Sequence, residues 1–112
     1  MIESLCPAEL DDWLTRQQGA RPLVLDVREP WERQTASVAA QGFELVAIPM
    51  GEIPARLQEL DPERPVACLC HHGARSLRVA AWLAQQGFAE VANLSGGIEA
   101  WSLERDPGVP RY

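Results

Sequence analysis

No run in this 112-residue sequence approaches the ~20 consecutive apolar residues of a membrane span. A basic start followed by an apolar stretch is also missing. MIESLCPAEL carries Glu3 and no Lys or Arg, so no secretory leader is expected and a cytoplasmic, reducing setting is. Positive charge is not in excess either: the net charge is −6, which argues against nucleic acid or an anionic membrane as partner. With three cysteines, an odd number, the chain has no disulfide framework. Cys68 and Cys70 would lie about 6.6 Å apart on a strand, near the outer limit for a bridge. Repeats and low-complexity segments are absent. Hydrophobic residues make up 46% and charged residues 23%, so the chain is expected to fold as one domain over residues 1–112. Its length lets it bury a core without help from a cofactor or structural metal, and none is expected.

One absence is local. From Arg64 to Ala89 there is no Asp or Glu, where roughly four would fall at the chain's average density. The same window holds Arg64, Arg75 and Arg78 and both histidines, His71 and His72. Either this is an accident of a buried strand and helix, or the field there suits a small anion.

Proline and glycine divide the chain into short alternating elements. Pro7 to Gln18 predicts a helix, with Leu10, Trp13 and Leu14 on one face, Pro7 in the first turn and Gly19 after the end. Cys6 sits at its N-cap with Glu9 three residues on, a capping-box spacing. Four short apolar runs predict strands covered on both faces: 22–27, 45–48, 66–70 and 90–94. Helices are expected over roughly 54–60, 76–86 and 97–103, the second closing with Gly87 and Phe88 in a Schellman ending. Strands alternating with helices predict an α/β domain, with a mostly parallel sheet of about five strands and helices on both faces. Ligands of such sheets sit beyond the carboxyl ends of the strands, which singles out two loops, 26–30 and 70–75.

The second loop carries the chemistry. VACLCHHGARS holds two cysteines and both histidines within five residues. A metal site, a nucleophile in an anion-binding loop, and a chance run of small residues all compete. Four ligands within five residues rarely converge tetrahedrally, and Cys68 lies within the strand, so no metal is expected. Read as strand, turn and helix, the segment ends a buried strand at Cys70 and starts a helix at Ser76. Gly73 gives the turn its freedom for positive φ. Amides converging at a helix N-terminus form an anion nest, and they and the helix dipole favour a thiolate at Cys70. Arg75 adds a planar, permanent charge suited to an oxyanion. Ser76 is placed to cap the helix or bond the sulfur, and His71, His72 and Ala74 line the mouth.

Three motifs then resemble one family. Leu25-Asp26-Val27-Arg28-Glu29-Pro30 resembles the first-strand motif of single-domain rhodaneses. Cys70 to Ser76 resembles their active-site loop, and Asn93 to Trp101 their Gly-Gly-x-x-x-Trp motif. The resemblance covers nearly the whole chain. It implies a sulfurtransferase: Cys70 takes sulfur from a small sulfur-containing anion such as thiosulfate, holds it as a persulfide, and passes it to cyanide, a thiol or a protein acceptor. It also implies that the loop from His71 to Ser76 binds substrate and persulfide. Asp26 and Arg28 would support the site or form a structural ion pair. A regulatory module without turnover and a dedicated persulfide carrier are the alternatives. Related phosphatases separate Cys and Arg by five residues; here four intervene, a smaller cradle, so phosphatase activity is not expected. The segment QTASVAAQGFELV departs from the Gly-His-Ile-Pro-Gly-Ala that members commonly carry, which bears on substrate access.

Overall fold

The computed structural model describes residues 2–112. Five strands form one sheet: β1 (Glu3–Leu5), β2 (Leu23–Asp26), β3 (Glu44–Ala47), β4 (Val66–Leu69) and β5 (Val91–Leu94). Every neighbouring pair is parallel, in the order β1-β5-β4-β2-β3. The four helices are α1 (Leu10–Arg16), α2 (Pro30–Thr35), α3 (Ala74–Gln85) and α4 (Gly97–Glu104). Among the described residues no helix is long and apolar enough to cross a membrane.

β2, β4 and β5 are buried throughout and almost wholly apolar because both faces of the sheet are covered there. β3, expected to be covered as well, is an edge strand with Glu44 exposed and Leu45 to Ala47 only partly buried. Leu23, Leu25, Val66, Cys68 and Val91 point to one face, where Val79, Ala80 and Leu83 of α3 pack with Ile53 and Leu60. Val24, Ala67, Leu69, Ala92 and Leu94 point to the other, against Leu10, Trp13 and Leu14 of α1 and Ile98 and Trp101 of α4. Trp13 and Trp101 are among the largest fully buried side chains. Each contributes about 1.5–3 kcal/mol or more by leaving water.

Several expectations are refined. The first predicted helix opens as a 3-10 turn over Pro7–Glu9, and its α-helical part stops at Arg16. Cys6 does stand at the cap: the Glu9 carboxylate accepts its backbone N–H at 2.9 Å and its thiol at 3.2 Å. The segment expected as a helix from 54 is 3-10, Pro54–Glu59, with a non-helical backbone at Arg56. α3 ends as predicted, with Gly87 at φ 94° and the Phe88 N–H bonded to the Leu83 carbonyl at 3.2 Å. β1 and α2 are additions to the elements read from apolar runs.

In a parallel sheet all carboxyl ends share one edge. β4 is the middle strand, so the residue that leaves it, Cys70, emerges at the centre of that edge. The loop after β2 lies beside it, and β5 flanks it on the other side.

Candidate active site

The loop after β4 turns at Gly73, whose φ of 106° belongs to the left-handed region that glycine tolerates. α3 begins at the next residue, and its first internal donor is the Leu77 N–H, bonded to the Gly73 carbonyl at 3.1 Å. The amides of Ala74, Arg75 and Ser76 therefore have no partner within the helix. Cys70, which leaves the end of β4, is 1% exposed. Its sulfur accepts the Gly73 N–H at 3.0 Å and lies 3.3 Å from the Ser76 hydroxyl.

The Gly96-Gly97 pair explains how α4 holds this loop. The Ile98 N–H donates to the Cys70 carbonyl at 2.8 Å, and the Glu99 N–H to the His71 carbonyl at 3.2 Å. A Cβ on Gly97 would overlap both of those carbonyl oxygens, and one on Gly73 would sit 3.0 Å from the Gly96 nitrogen. Only glycine permits that approach. Since C=O and N–H are antiparallel in a trans peptide, the His71 and His72 amides point away from α4.

The predicted supporting pair is buried. Arg28, 0% exposed, forms a two-pronged ion pair with Asp26, at 2.9 Å from Nε and 2.7 Å from its terminal nitrogen. Arg75 does not stand free at the mouth as expected. Its guanidinium pairs with both carboxylate oxygens of Glu32, at 2.6 and 2.7 Å, tying the loop to α2. The Arg75 hydrogen bonds hold the Glu32 carboxyl down at about 2 despite burial; the Glu29 N–H and the Tyr112 hydroxyl act in the same direction. Tyr112 donates its hydroxyl to Glu32 at 2.7 Å and accepts from Arg28 at 3.0 Å. Its ring stacks on His71, centroids 3.9 Å apart and planes 11° apart, and His71 stacks in turn on His72 at 3.9 Å.

Ser76 is the third residue of α3, not its cap. Its hydroxyl meets Oδ1 of Asn93 at 2.5 Å, while Nδ2 of Asn93 donates to the Gly73 carbonyl at 3.3 Å. Cys68 faces the core on the α3 side, and burial pushes its thiol well up. All three cysteines are free thiols.

Glu32 and Tyr112 are not among the site residues expected from the sequence, and Asn93 enters there only as the first residue of the third motif. Asn93 had a signal, a polar residue inside the apolar run Val91–Leu94. Glu32 had one too, Pro30 and Glu32 at capping-box spacing after Glu29.

His71, His72 and Glu99 each bring a ligand atom within 4.8 Å of the other two. The two rings, however, lie 20° from parallel. Imidazole lone pairs lie in the ring plane, so nearly parallel rings do not meet at one ion ~2 Å from both nitrogens. Glu99 is already paired with Arg111.

A model of the Rhodanese-like domain family matches residues 7–104. A sulfurtransferase from Allochromatium vinosum is 42% identical over 89 residues, 78% of each chain. Thiosulfate sulfurtransferase GlpE of Pseudomonas syringae pv. syringae is 35% identical over 92 residues, 77% of this chain and 76% of its own. Rhodanese-like/PpiC domain-containing protein 12 of Arabidopsis thaliana is 42% identical over 80% of this chain, which spans only 30% of that protein's length. The crystal structure of a rhodanese-related protein from Thermoplasma volcanium superposes with a TM-score of 0.78 at 30% identity, covering 98% of this chain and 99% of its own.

Proposed function

The chain belongs to the rhodanese-like domain family, and from that premise we propose that it moves sulfane sulfur through a Cys70 persulfide, with thiosulfate as a donor. The carrying observation is the setting of one sulfur atom. Sγ of Cys70 sits at the mouth of the central strand, with the Gly73 amide at 3.0 Å, where the loop turns into the first turn of α3.

Cys70 gives up its thiol proton and attacks the outer sulfur of thiosulfate; the new S–S bond forms as the old one breaks, and sulfite leaves with the bonding pair and takes up the proton. The persulfide anion is then attacked at its outer sulfur by cyanide, a thiol or a protein thiol, which returns the Cys70 thiolate. Backbone amides and the positive end of α3 stabilise the negative outer sulfur in the interval. In this scheme His71, His72, Gly73, Ala74, Arg75 and Ser76 supply that wall. Arg75 acts through its backbone and by anchoring the loop, since its guanidinium is held by Glu32. Asp26 and Arg28 brace the adjoining loop. Cys70, 1% exposed, is reached by a donor whose reacting end is a single atom, and a bulky tetrahedral ester suits it poorly. The free thiols fit a reducing compartment such as the cytoplasm.

Intact mass spectrometry tests the proposal. After incubation with thiosulfate the protein gains one sulfur atom, the gain is lost on adding cyanide, and Cys70→Ser gains none. No adduct with thiosulfate, polysulfide or a persulfidated thiol defeats the proposal, and an adduct retained by Cys70→Ser moves the nucleophile to Cys68 or Cys6.

A further inference from the structure

We propose that Asn93 is a positioning residue that fixes the direction of the Cys70–Ser76 hydrogen bond, so that the loop favours the unloaded thiol over the persulfide. This rests on Cys70 being the nucleophile of sulfur transfer.

Asn93 is 4% exposed in the middle of β5, and its side chain lies on the α3 side of the sheet, opposite to Ala92 and Leu94. A buried amide is tolerated only where its donors and acceptors find matching partners. Its nearest neighbours leave one arrangement. The Gly73 carbonyl can only accept, so the NH2 end of Asn93 must face it, as it does at 3.3 Å. Oδ1 then faces the Ser76 hydroxyl at 2.5 Å. Oδ1 can only accept, so the single hydroxyl proton lies on that line. Turning it to the Gly73 carbonyl, 3.2 Å away, would leave two oxygens opposed at 2.5 Å with no proton between them.

Ser76 therefore has only lone pairs to offer Cys70. At 3.3 Å the sulfur must be the donor, an S–H directed at the Ser76 oxygen, while it accepts the Gly73 N–H from the other side. The chain from Cys70 through Ser76 to Asn93 and back to the Gly73 carbonyl is complete for a thiol and for nothing else.

Loading breaks it. When Sγ bonds to the outer sulfur of thiosulfate and the donor's S–S bond opens, sulfite leaves with the bonding pair and the thiol proton, as hydrogensulfite. Sγ now carries no hydrogen. Oδ1 of Asn93 holds the hydroxyl proton, so Sγ keeps the Gly73 N–H but loses the Ser76 bond it made as a thiol. The loss of one buried hydrogen bond shifts such an equilibrium by up to about tenfold. Asn93 thus weights the loop against retaining sulfur and toward passing it on.

Asn93→Leu removes the nearest competing acceptor, and the Ser76 hydroxyl then divides between the sulfur and the Gly73 carbonyl. Alkylation of Cys70 by iodoacetamide at pH 7, read on the Cys70 peptide, should rise severalfold. The persulfide fraction at a fixed thiosulfate-to-sulfite ratio should rise by a similar factor. In a Ser76→Ala background the same substitution should change neither, because the coupling runs through the hydroxyl. An equal effect in both backgrounds, or no rise in the first, overturns the proposal. If Asn93→Leu does not fold, the wild-type protein decides. Its infrared spectrum should show a hydrogen-bonded S–H stretch that Cys70→Ala removes and Ser76→Ala moves to higher frequency. Absence of that band, or its indifference to Ser76, defeats the proposal. Alkylation and the S–H band need no sulfur transfer. A wild-type protein that never loads but shows both would refute the proposed function and leave the hydrogen-bond direction standing.

Discussion

Glu32→Gln isolates the ion pair that ties the loop to α2. Glu32 is held at about 2 against its ordinary 4.5, chiefly by the Arg75 hydrogen bonds. Its side chain is only 3% exposed. A carboxyl depressed by that much contributes about 3 kcal/mol of folding stability, at about 1.4 kcal/mol for each pH unit. Because the folded value is the lower one, this contribution is complete above about pH 4.5 and disappears as the pH falls toward 2. The substitution also leaves the guanidinium unpaired. Arg75 is 32% exposed, so water partly solvates it and keeps the cost near the lower end of the ~3–5 kcal/mol for a broken buried pair. Urea unfolding at pH 7 should show the midpoint falling by about 1–2 M with an unchanged slope. The gap between wild type and Glu32→Gln should then close across the acid window, since the protonated wild-type residue has lost the same charge. A gap that persists unchanged at pH 2, or one below about 1 kcal/mol at pH 7, refutes the ion-pair account.

Gly97→Ala sets a Cβ against the Cys70 and His71 carbonyls at a φ of 60°, so the loop and α4 must separate. It should cost more than about 2 kcal/mol in urea unfolding and abolish sulfur loading. Gly87→Ala, with φ 94° and nothing within 4 Å, should cost only about 1 kcal/mol and leave loading intact. Tyr112→Phe keeps the stack on His71 but loses the hydroxyl bonds to Glu32 and from Arg28, and should cost about 1.5 kcal/mol. Tyr112→Ala should add a further ~0.5–1.5 kcal/mol for the stack, both read from thermal unfolding.

The elements legible in the sequence are those whose covered faces force a pattern. β2, β4 and β5 are four-residue runs buried throughout, and no loop would keep such a run dry. β1 was invisible because Glu3-Ser4-Leu5 is a three-residue edge strand with one buried side chain. α2 was missed for a different reason. Its one buried residue is Glu32, while its large apolar one, Trp31, is 62% exposed, so it shows no apolar period. The site divides in the same way. Cys70, Gly73, Arg75 and Ser76 are contiguous, and the turn between strand and helix suffices to bring them together. Glu32, Asn93 and Tyr112 arrive from α2, β5 and the segment after α4. Sheet order decides which of these reach the loop, and local spacing carries no record of that order.

Charge shows most plainly where spacing misleads. The window from Arg64 to Ala89 has no acid of its own, yet the fold supplies acids from elsewhere. Glu44 pairs with Arg64 at 2.7 Å and Glu32 with Arg75 at 2.6 Å. Among the described residues Arg78 is the one arginine of the window in no ion pair. The permanent positive charge that the sequence displays is therefore largely neutralised in space. Attraction for an anionic donor falls to backbone amides and the α3 dipole, which act within the first turn and over short distances. Short-range attraction is poorly screened, so raising sodium chloride from about 20 to 200 mM should change the rate of Cys70 loading by thiosulfate less than about threefold. A fall of tenfold or more would mean that free charges gather the donor. Arg78→Ala would then identify the first of them by flattening the salt dependence.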